Sequence, residues 1–171
     1  DGDGDGAAAV AAELGCEFQH RPDRVALGFL LERSSAFMAT PGLPESHPVF
    51  DLAESLGVRG ISEFDLAAAW DDRDLLAVTG TNGKTTVVSL VASMLEHSGI
   101  RCAAVGNLEV PLVAAIEDPA PQCFVVEASS FRLAHSAHFV PRVGTWLNFA
   151  PDHLNVHRDL DSYRRAKARI W

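Results

Sequence analysis

The stretch Leu75-Leu76-Ala77-Val78-Thr79-Gly80-Thr81-Asn82-Gly83-Lys84-Thr85-Thr86 decides the fold class of this chain. Its first five residues form an apolar run that is typical of a buried β-strand. Its last residues lead into a segment whose apolar side chains recur every three or four positions, which predicts a helix over residues 84–97. A strand, a glycine loop and a helix in this order are the context that a phosphate-binding loop requires, and they predict an α/β fold.

The glycine loop between the strand and the helix has the residue types that phosphate binding needs. Glycines let backbone N–H groups surround an anion, and the helix N-terminus adds partial positive charge. Lys84 is expected to reach the β- and γ-phosphates of a nucleotide, and the hydroxyl of Thr85 to ligate Mg²⁺. The first glycine stands two positions closer to the lysine than in the common GxxxxGK[ST] pattern. The expected nucleotide-binding residues are Gly80, Thr81, Asn82, Gly83, Lys84, Thr85 and Thr86.

Lysine is rare in this chain, and its rarity favours nucleotide binding over the alternative, a tight turn followed by a threonine-rich helix cap. Lys84 and Lys167 are the only lysines, while arginine supplies the rest of the 14 cationic side chains. An ammonium group is more compact than a guanidinium, so a lysine directly before Thr85 suits a position between phosphates.

Composition excludes several classes of partner. The 171 residues carry 14 Lys+Arg against 23 Asp+Glu, a formal net charge of −9, which argues against nucleic acid as the main partner. A hydrophobic content of 47% is ordinary for a globular protein, and no apolar run approaches the roughly 18 residues of a membrane span. Cys16, Cys102 and Cys123 form no CxxC or CxxH pattern, so we expect reduced thiols rather than a disulfide framework or a zinc site.

The rest of the pattern alternates between strands and helices, which predicts parallel strands. A charged break at Asp71-Asp72-Arg73-Asp74 divides the chain into two predicted parts, residues 1–72 and residues 73–171. No element is predicted for residues 16–33, because their apolar residues follow no clear period. Strands are predicted at 36–39, 58–61, 75–79, 101–105, 123–127 and 143–148, and helices at 7–14, 46–56, 63–70, 84–97, 111–116 and 160–171.

Other chemistry-bearing residues follow predicted strands. Glu127 ends one strand and Asp152-His153 follow another, so both can face the crevice at the carboxyl edge of the sheet. A carboxylate in that place can hold the Mg²⁺ of a nucleotide. His153 and His157 also have the i, i+4 spacing of a zinc pair, although no third ligand is apparent. Taken alone, Lys167 is an ordinary lysine on the solvated face of an amphipathic helix.

Several segments together resemble the Mur ligase family, which includes the folylpolyglutamate synthetases. GTNGKTT after an apolar strand is similar to the shortened ATP loop of that family. Residues 127–133, EASSFRL, are similar to the E-x-SSFQL signature of its D-glutamate-adding branch. One departure is Glu109, where the GN-x-G segment of the family usually has glycine. The other similar segments are Thr40-Pro41-Gly42 with His47-Pro48, Gly106–Leu112, Leu147–Leu154 and Tyr163–Ile170.

The resemblance implies a truncated Rossmann-like N-terminal domain for a UDP-linked substrate in residues 1–72. It also implies the first part of a central ATP-binding domain with a mainly parallel sheet in residues 73–171, and a C-terminal amino-acid-binding domain outside this sequence. The implied catalytic residues are Lys84, Glu127, His153 and Lys167, and the implied metal ligands are Thr85, Glu127, His153 and Lys167. The implied substrate-binding residues are Thr40, Gly42, Asn107, Ser129 and Tyr163.

The cofactors implied by the resemblance are ATP and two Mg²⁺ ions, with Lys167 carbamylated into an anion that helps to hold the second ion. Carbamylation needs a neutral amine. Neighbouring arginines and partial burial are expected to lower the pKa of Lys167 in that direction.

The activity implied by the resemblance is the ATP-dependent addition of D-glutamate to UDP-N-acetylmuramoyl-L-alanine through an acyl phosphate, in peptidoglycan biosynthesis, by a cytoplasmic monomer. The residues of the family that hold the rest of ATP and the D-glutamate would lie outside this sequence, so we expect the chain alone to have no ligase turnover. Alternatives are another Mur ligase or a folylpolyglutamate synthetase. From a different class, a P-loop switch would couple nucleotide state to a partner.

Overall fold

Helices and strands alternate along the part of the chain that the computed structural model describes, residues 4–171. In chain order the helices are α1 (Gly4–Leu14), α2 (Arg24–Glu32), α3 (Pro48–Leu56), α4 (Glu63–Trp70), α5 (Lys84–His97), α6 (Leu112–Ala115), α7 (Ser130–Ala134) and α8 (Leu160–Ala168). The strands are β1 (Ala36–Met38), β2 (Arg59–Ile61), β3 (Asp74–Thr79), β4 (Cys102–Gly106), β5 (Cys123–Glu127) and β6 (Val143–Trp146). Every strand pairing within the described residues is parallel, and the predicted α/β class is confirmed.

Four strands form the central sheet, in the spatial order β4-β5-β3-β6. β3 is an inner strand that pairs with β5 on one side and with β6 on the other. All residues of β5 are buried, because helices cover both faces of a parallel sheet and leave no solvated side. Since all four strands run the same way, the segments after β3, β4, β5 and β6 meet at one edge of the sheet.

The two faces of the central sheet have separate apolar cores. On one face, Val88 of α5 packs with Val78 and Val125. On the other face, Ala77 and Val126 pack with residues of α4, α6, α7 and the end of the chain. Successive residues of β3 and β5 therefore enter opposite cores, as expected from the period of two in a strand.

The part of the chain before β3 forms a smaller unit that shares some of its core with the central sheet. β1 and β2 form a two-stranded parallel sheet, and Leu31, Val49 and Ala53 from α2 and α3 form the buried core beside it. Phe64 of α4 instead packs in a core of the central sheet, with its ring centroid 4.5 Å from that of Phe139.

The charged break between the two parts is tied to the central sheet. Arg73 Nη2 lies 2.6 Å from Asp71 Oδ2, and the same guanidinium donates to the main-chain carbonyls of Ile116 and Asp118. Its central carbon stands 4.5 Å from the ring centroid of Phe124. These contacts hold the connection in place, and the division at residues 72 and 73 stays a prediction.

Two helices are absent from the sequence prediction. α2 begins after Asp23, whose carboxylate caps the helix, and it buries Leu31 while exposing Val25 and Phe29. Apolar residues on both sides of this helix hide its period. α7 has five residues, capped by Ser129, and a helix of that length shows no period in the sequence.

The predicted bounds of α1 and α8 are wrong by three residues at one end, and those of β6 differ by two. α1 begins at Gly4 rather than at residue 7. β6 ends at Trp146 rather than at residue 148, because the side chain of Asn148 turns to the loop after β3. α8 ends at Ala168 rather than at residue 171, where the chain closes with a short-range bond from Ile170 N–H to the Lys167 carbonyl. Bounds within one or two residues of each other describe the same element.

The three cysteines are free thiols, as expected. Cys16 is exposed, whereas burial raises the pKa of both Cys102 and Cys123 and favours their protonated form. Within residues 4–171, no helix is both long enough and apolar enough to cross a membrane.

Candidate functional site

The glycine loop follows β3 at the carboxyl edge of the central sheet, and it packs against the segment after β6. A Cβ atom on Gly80 would come within 3.2 Å of the Leu147 Cβ, a tight contact that glycine avoids. Gly83 immediately precedes α5 with φ +83°, a left-handed conformation that glycine adopts without strain. Both glycines of the loop therefore have a structural reason to be glycine.

The amino end of α5 has no side-chain cap. The first amide of the helix that finds a main-chain acceptor is that of Val87, which donates to the Gly83 carbonyl. The N–H groups of Lys84, Thr85 and Thr86 have no acceptor within residues 4–171. A helix start with free amides and a favourable dipole binds anions.

Lys84 curls back over the loop from the first turn of α5. Its Nζ donates to the carbonyl oxygens of Gly80 and Thr81, at 3.0 Å each. The ammonium thus lies beside the free amides and adds a full positive charge to their partial charges. The Lys84 ammonium thus contacts the loop, as the sequence predicts for a phosphate site.

Thr85 and Glu127 meet at the carboxyl edge of the sheet. The Thr85 hydroxyl donates a 2.7 Å hydrogen bond to Glu127 Oε2, and Asn107 Nδ2 donates to Oε1 at 3.3 Å. Glu127 is 3% exposed, and no cationic side chain pairs with it among the described residues. Gly106 allows this approach: it has φ +102°, and a Cβ there would lie 2.5 Å from the Glu127 carbonyl oxygen. A buried carboxylate without a cationic partner is a natural cation ligand.

Lys167 lies under the loop and not on a solvated helix face. Its side chain is almost fully buried at 1% exposure, its Nζ donates to the Gly80 carbonyl at 2.7 Å, and it stands 4.6 Å from the Tyr163 ring centroid. Burial, and after it the charge of Lys84, lower the pKa of Lys167 to about 8, and Asp152 opposes the shift. Both lysines of the chain thus contact the Gly80 carbonyl.

The neighbouring arginines that we expected to lower the pKa of Lys167 are not the cause. Arg164 and Arg165 form ion pairs with Asp161 on the exposed side of α8. Burial and Lys84 account for the lowering instead. Charges along one helix point in different directions, whereas Lys84 is brought near by the loop.

Tyr163 is fully buried beneath the loop. Its hydroxyl lies 3.2 Å from Thr81 Oγ1, which in turn accepts from the Ala150 N–H at 3.0 Å. Its ring packs against Phe149 and His157, with centroids 5.3 and 5.1 Å apart. The structure places this predicted substrate-binding residue as a support of the loop, and its hydroxyl is already bonded.

His153 stands at the rim of the same region with φ +56°, an uncommon backbone conformation for a residue other than glycine. Its Nε2 is 3.5 Å from Asp152 Oδ2, and its ring centroid lies 4.7 Å from that of Phe131. Burial lowers the pKa of His153 against the effect of Asp152, and the charges of Lys167 and Lys84 lower it further. A neutral imidazole, which can ligate a metal, is therefore the favoured form near neutral pH.

His157 is buried and connects three segments rather than forming a zinc pair with His153. Its Nδ1 lies 2.8 Å from Glu45 Oε1, and its Nε2 lies 2.9 Å from Ser130 Oγ. No group of three or more His, Cys, Asp or Glu side chains that could hold a metal ion occurs within residues 4–171. Sequence reasoning missed Glu45, because nothing local connects it with a residue 112 positions away.

A cleft of about 460 Å³ lies between the smaller unit and the central sheet. Thr40 and Pro41 line one wall, and Phe131 and Arg132 line the other. Arg132 forms an ion pair with Glu63 across the junction of the two parts. The Phe131 ring, which lines the cleft, also contacts the ring of His153.

The other predicted substrate-binding residues lie apart from the lining of this cleft. Gly42 follows the Thr40-Pro41 wall with φ +88°. Asn107 is bonded to Glu127 through its side chain and its main chain. Ser129 is buried, and its hydroxyl accepts from the Arg132 N–H as the cap of α7. The structure therefore brings Thr40 to the cleft and Asn107 to the buried carboxylate of Glu127.

The sheet and the loop define the class of this molecule: an α/β protein with P-loop architecture. The chain belongs to the Mur ligase family, since the family model described as "Mur ligase middle domain" matches residues 78–171. This match includes the end of β3, the loop and every element that follows them.

Curated relatives at 35–39% identity are named UDP-N-acetylmuramoylalanine–D-glutamate ligase. The protein from Alkaliphilus oremlandii is 39% identical over 135 residues, which cover 78% of this chain and 30% of the relative. The protein from Corynebacterium diphtheriae is 35% identical over 169 residues, which cover 94% of this chain and 35% of the relative. The chain thus spans about a third of the length of these relatives.

Among solved structures, the UDP-N-acetylmuramate:L-alanyl-gamma-D-glutamyl-meso-diaminopimelate ligase from Neisseria meningitides aligns with a TM-score of 0.49. The alignment has 21% sequence identity and covers 96% of this chain and 63% of that chain.

Proposed function

We propose that this chain carries the ATP-binding part of a ligase that adds D-glutamate to UDP-N-acetylmuramoyl-L-alanine in peptidoglycan biosynthesis. The observation that carries the proposal is the start of α5, where three amides without acceptors lie beside the ammonium of Lys84. The names of the curated relatives support the D-glutamate-adding branch.

ATP would bind with its phosphates on the loop Gly80–Thr86. The free amides at the start of α5 would donate to phosphate oxygens, and Lys84 would exchange its carbonyl partners for the β- and γ-phosphates. This exchange requires only a rotation of the side chain, because the Lys84 Nζ already lies above the loop.

Thr85 and Glu127 fit the requirements of a magnesium ion. They present a hydroxyl and a buried carboxylate 2.7 Å apart, and hard oxygen ligands of this kind are what Mg²⁺ prefers. When bound, the ion would neutralise charge on the transferring phosphoryl group.

A second magnesium ion would be held by His153 and Lys167. The imidazole suits this role because its lowered pKa keeps it neutral. Lys167 would need carbamylation first: its neutral amine adds to CO₂, a nitrogen–carbon bond forms, and one proton leaves to solvent. Because the pKa of this buried amine is about 8, part of the Lys167 population is neutral near neutral pH, and the neutral amine can add to CO₂.

In the proposed reaction, an oxygen of the substrate's L-alanine carboxylate bonds to the γ-phosphorus of ATP as the bond to the bridging oxygen breaks. The products are an acyl phosphate and ADP. The amine of D-glutamate then attacks the acyl carbon, loses a proton, and displaces phosphate from a tetrahedral intermediate. Lys84 would offset the charge that develops on the phosphoryl oxygens, which is where most of the rate enhancement of such reactions lies.

The UDP-linked substrate would occupy the cleft between Thr40 and Phe131. This cleft lies between the smaller unit and the central sheet, and its lining residue Phe131 contacts His153, so a substrate bound there would lie one side chain away from His153. We further propose that the whole ligase is a cytoplasmic monomer, as expected from the resemblance.

The direct test is calorimetric titration of the 171-residue chain with Mg·ATP. We expect binding, and we expect Lys84→Met to weaken it at least about tenfold through loss of a charge-assisted contact. Arg24→Met is the matched control, since it removes an exposed cation from the start of α2, in the other part of the chain. Absence of binding by the unmodified chain at millimolar Mg·ATP would overturn the proposal.

A further inference from the structure

Asn148, the second residue after β6, holds the main chain of the phosphate loop from outside the loop. Its side-chain Oδ1 accepts from the Asn82 N–H at 3.0 Å, and its Nδ2 donates to the Asn82 carbonyl at 3.0 Å. One carboxamide thus satisfies both main-chain polar groups of a single loop residue.

The neighbouring amide is held as well. The Thr81 N–H is shared between Asn148 Oδ1 at 3.1 Å and the main-chain carbonyl of Asn148 at 3.2 Å. Two consecutive amides of the loop therefore point at one oxygen and are turned away from any anion. The amides that remain without an acceptor are those of Gly83, Lys84, Thr85 and Thr86.

The loop is two residues shorter than the common P-loop pattern. Asn82 and Gly83 are exposed, so solvent competes for every polar group that they present. The Asn148 side chain bonds the N–H and the carbonyl of Asn82, and so it fixes the conformation of this peptide before a ligand binds. Preorganisation of this kind raises affinity.

We propose that Asn148 is a positioning residue for nucleotide binding, which acts through Asn82. It presets the Asn82 peptide so that the four following amides converge on the phosphates of a nucleoside triphosphate. The inference rests on the proposed function and adds a residue to the same site. Aspartate cannot replace Asn148, because it lacks the N–H donor and adds a negative charge beside the phosphates.

The test compares Asn148→Ala and Asn148→Asp with the unmodified 171-residue chain. Asn155→Ala is the matched control, because Asn155 is an exposed asparagine of the same connecting segment with no side-chain bond in the described chain. Mg·ATP affinity is measured by calorimetry, and amide hydrogen exchange is measured by NMR without nucleotide. A urea unfolding curve for each variant reports global stability separately.

We expect Asn148→Ala to weaken Mg·ATP binding about tenfold and Asn148→Asp to weaken it more, with little change in the unfolding midpoint. In Asn148→Ala the Asn82 amide should lose its protection from exchange. The Thr81 amide should keep part of its protection, because it retains the main-chain carbonyl of residue 148.

The inference is overturned if Asn148→Ala binds Mg·ATP like the unmodified chain, or if the Asn82 amide stays protected in that variant. It is also overturned if affinity falls only in proportion to a lowered unfolding midpoint. If the unmodified chain does not bind Mg·ATP, the proposed function fails. The exchange data then decide independently whether Asn148 holds the loop.

Discussion

The hydroxyl of Thr85 donates a 2.7 Å hydrogen bond to Glu127 Oε2, and this bond joins the first turn of α5 to the last residue of β5. The two residues are 42 positions apart in the chain, and the parallel pairing of β3 with β5 brings them together. Glu127 is buried and has only neutral donors around it. Under the proposed function, the pair would exchange its mutual hydrogen bond for a shared cation.

Glu127→Gln is expected to remove the dependence of ATP binding on Mg²⁺. The amide keeps the size of the side chain but loses the charge that a divalent ion needs, so affinity for Mg·ATP should fall on the order of tenfold. Affinity for ATP without metal should stay equal or rise, since one negative charge near the phosphates is gone. Calorimetric titrations with Mg²⁺ and with EDTA measure both quantities. Glu109→Gln, at an exposed position, is the control, and an unchanged magnesium effect in Glu127→Gln would contradict this assignment.

Gly106→Ala is expected to destabilise the fold by about 2–4 kcal/mol, because the new Cβ meets backbone and φ is positive. That Cβ would lie 2.5 Å from the Glu127 carbonyl oxygen, at a φ of +102°. The free energy of unfolding in urea measures the effect. Gly28→Ala is the matched control: a Cβ there meets nothing within 4 Å, and alanine in a helix should stabilise by about 0.5–1 kcal/mol. Equal unfolding midpoints for the two variants would refute the steric argument.

The buried ammonium of Lys167 should make stability depend on pH. The pKa of Lys167 is about 8 in the folded chain, whereas the ordinary value, expected in the unfolded chain, is 10.5. Between these two pH values Lys167 is therefore more protonated in the unfolded chain than in the folded chain. The free energy of unfolding should therefore rise with pH through this window, by up to about 3 kcal/mol, relative to Lys167→Met. The measurement is urea unfolding of both proteins from pH 7 to pH 10.5 in CO₂-free buffer without metal. Parallel pH profiles would show that Lys167 keeps an ordinary pKa.

Glu45→Ala is expected to destabilise the chain by about 1–3 kcal/mol, since it leaves the buried Nδ1 of His157 without its partner. The loss includes the bond from the Arg158 N–H to Glu45 Oε2, which is 3.0 Å long. Glu54→Ala serves as the control, because Glu54 is exposed and its carboxylate has no bond within residues 4–171. Thermal or urea unfolding of the two variants gives the comparison. A Glu45→Ala midpoint equal to that of Glu54→Ala would mean that Glu45 adds no stability.

The elements that sequence predicted well are those whose signals are local. α4, α5 and β5 have the predicted bounds, because a cap, an apolar period or an apolar run lies within each segment. α2 was not predicted because it exposes Val25 and Phe29 opposite its buried side. α7 was not predicted because five residues are too few for any period.

In the candidate site, the positions that could be predicted are those of residues next to the loop in the chain and of Glu127, which ends a parallel strand. Lys84 and Thr85 follow the loop directly, so their positions beside it follow from the strand-loop-helix order. The contacts of Asn148 and of Glu45 could not be predicted, because each spans a long stretch of sequence. The strand-end position of Asn148 is a weak local signal for its role.

The sequence by itself determined the α/β class, the glycine loop between β3 and α5, and the positions of the two lysines in the chain, because local periods, glycines and residue types are readable without any contact. Tertiary structure decided the environment of the second lysine, Lys167. Lys167 lies 87 residues from Gly80, and only the packing of α8 beneath the loop buries its ammonium and lowers its pKa. Burial and charge proximity depend on distances between segments, and these distances exist only once the chain has folded.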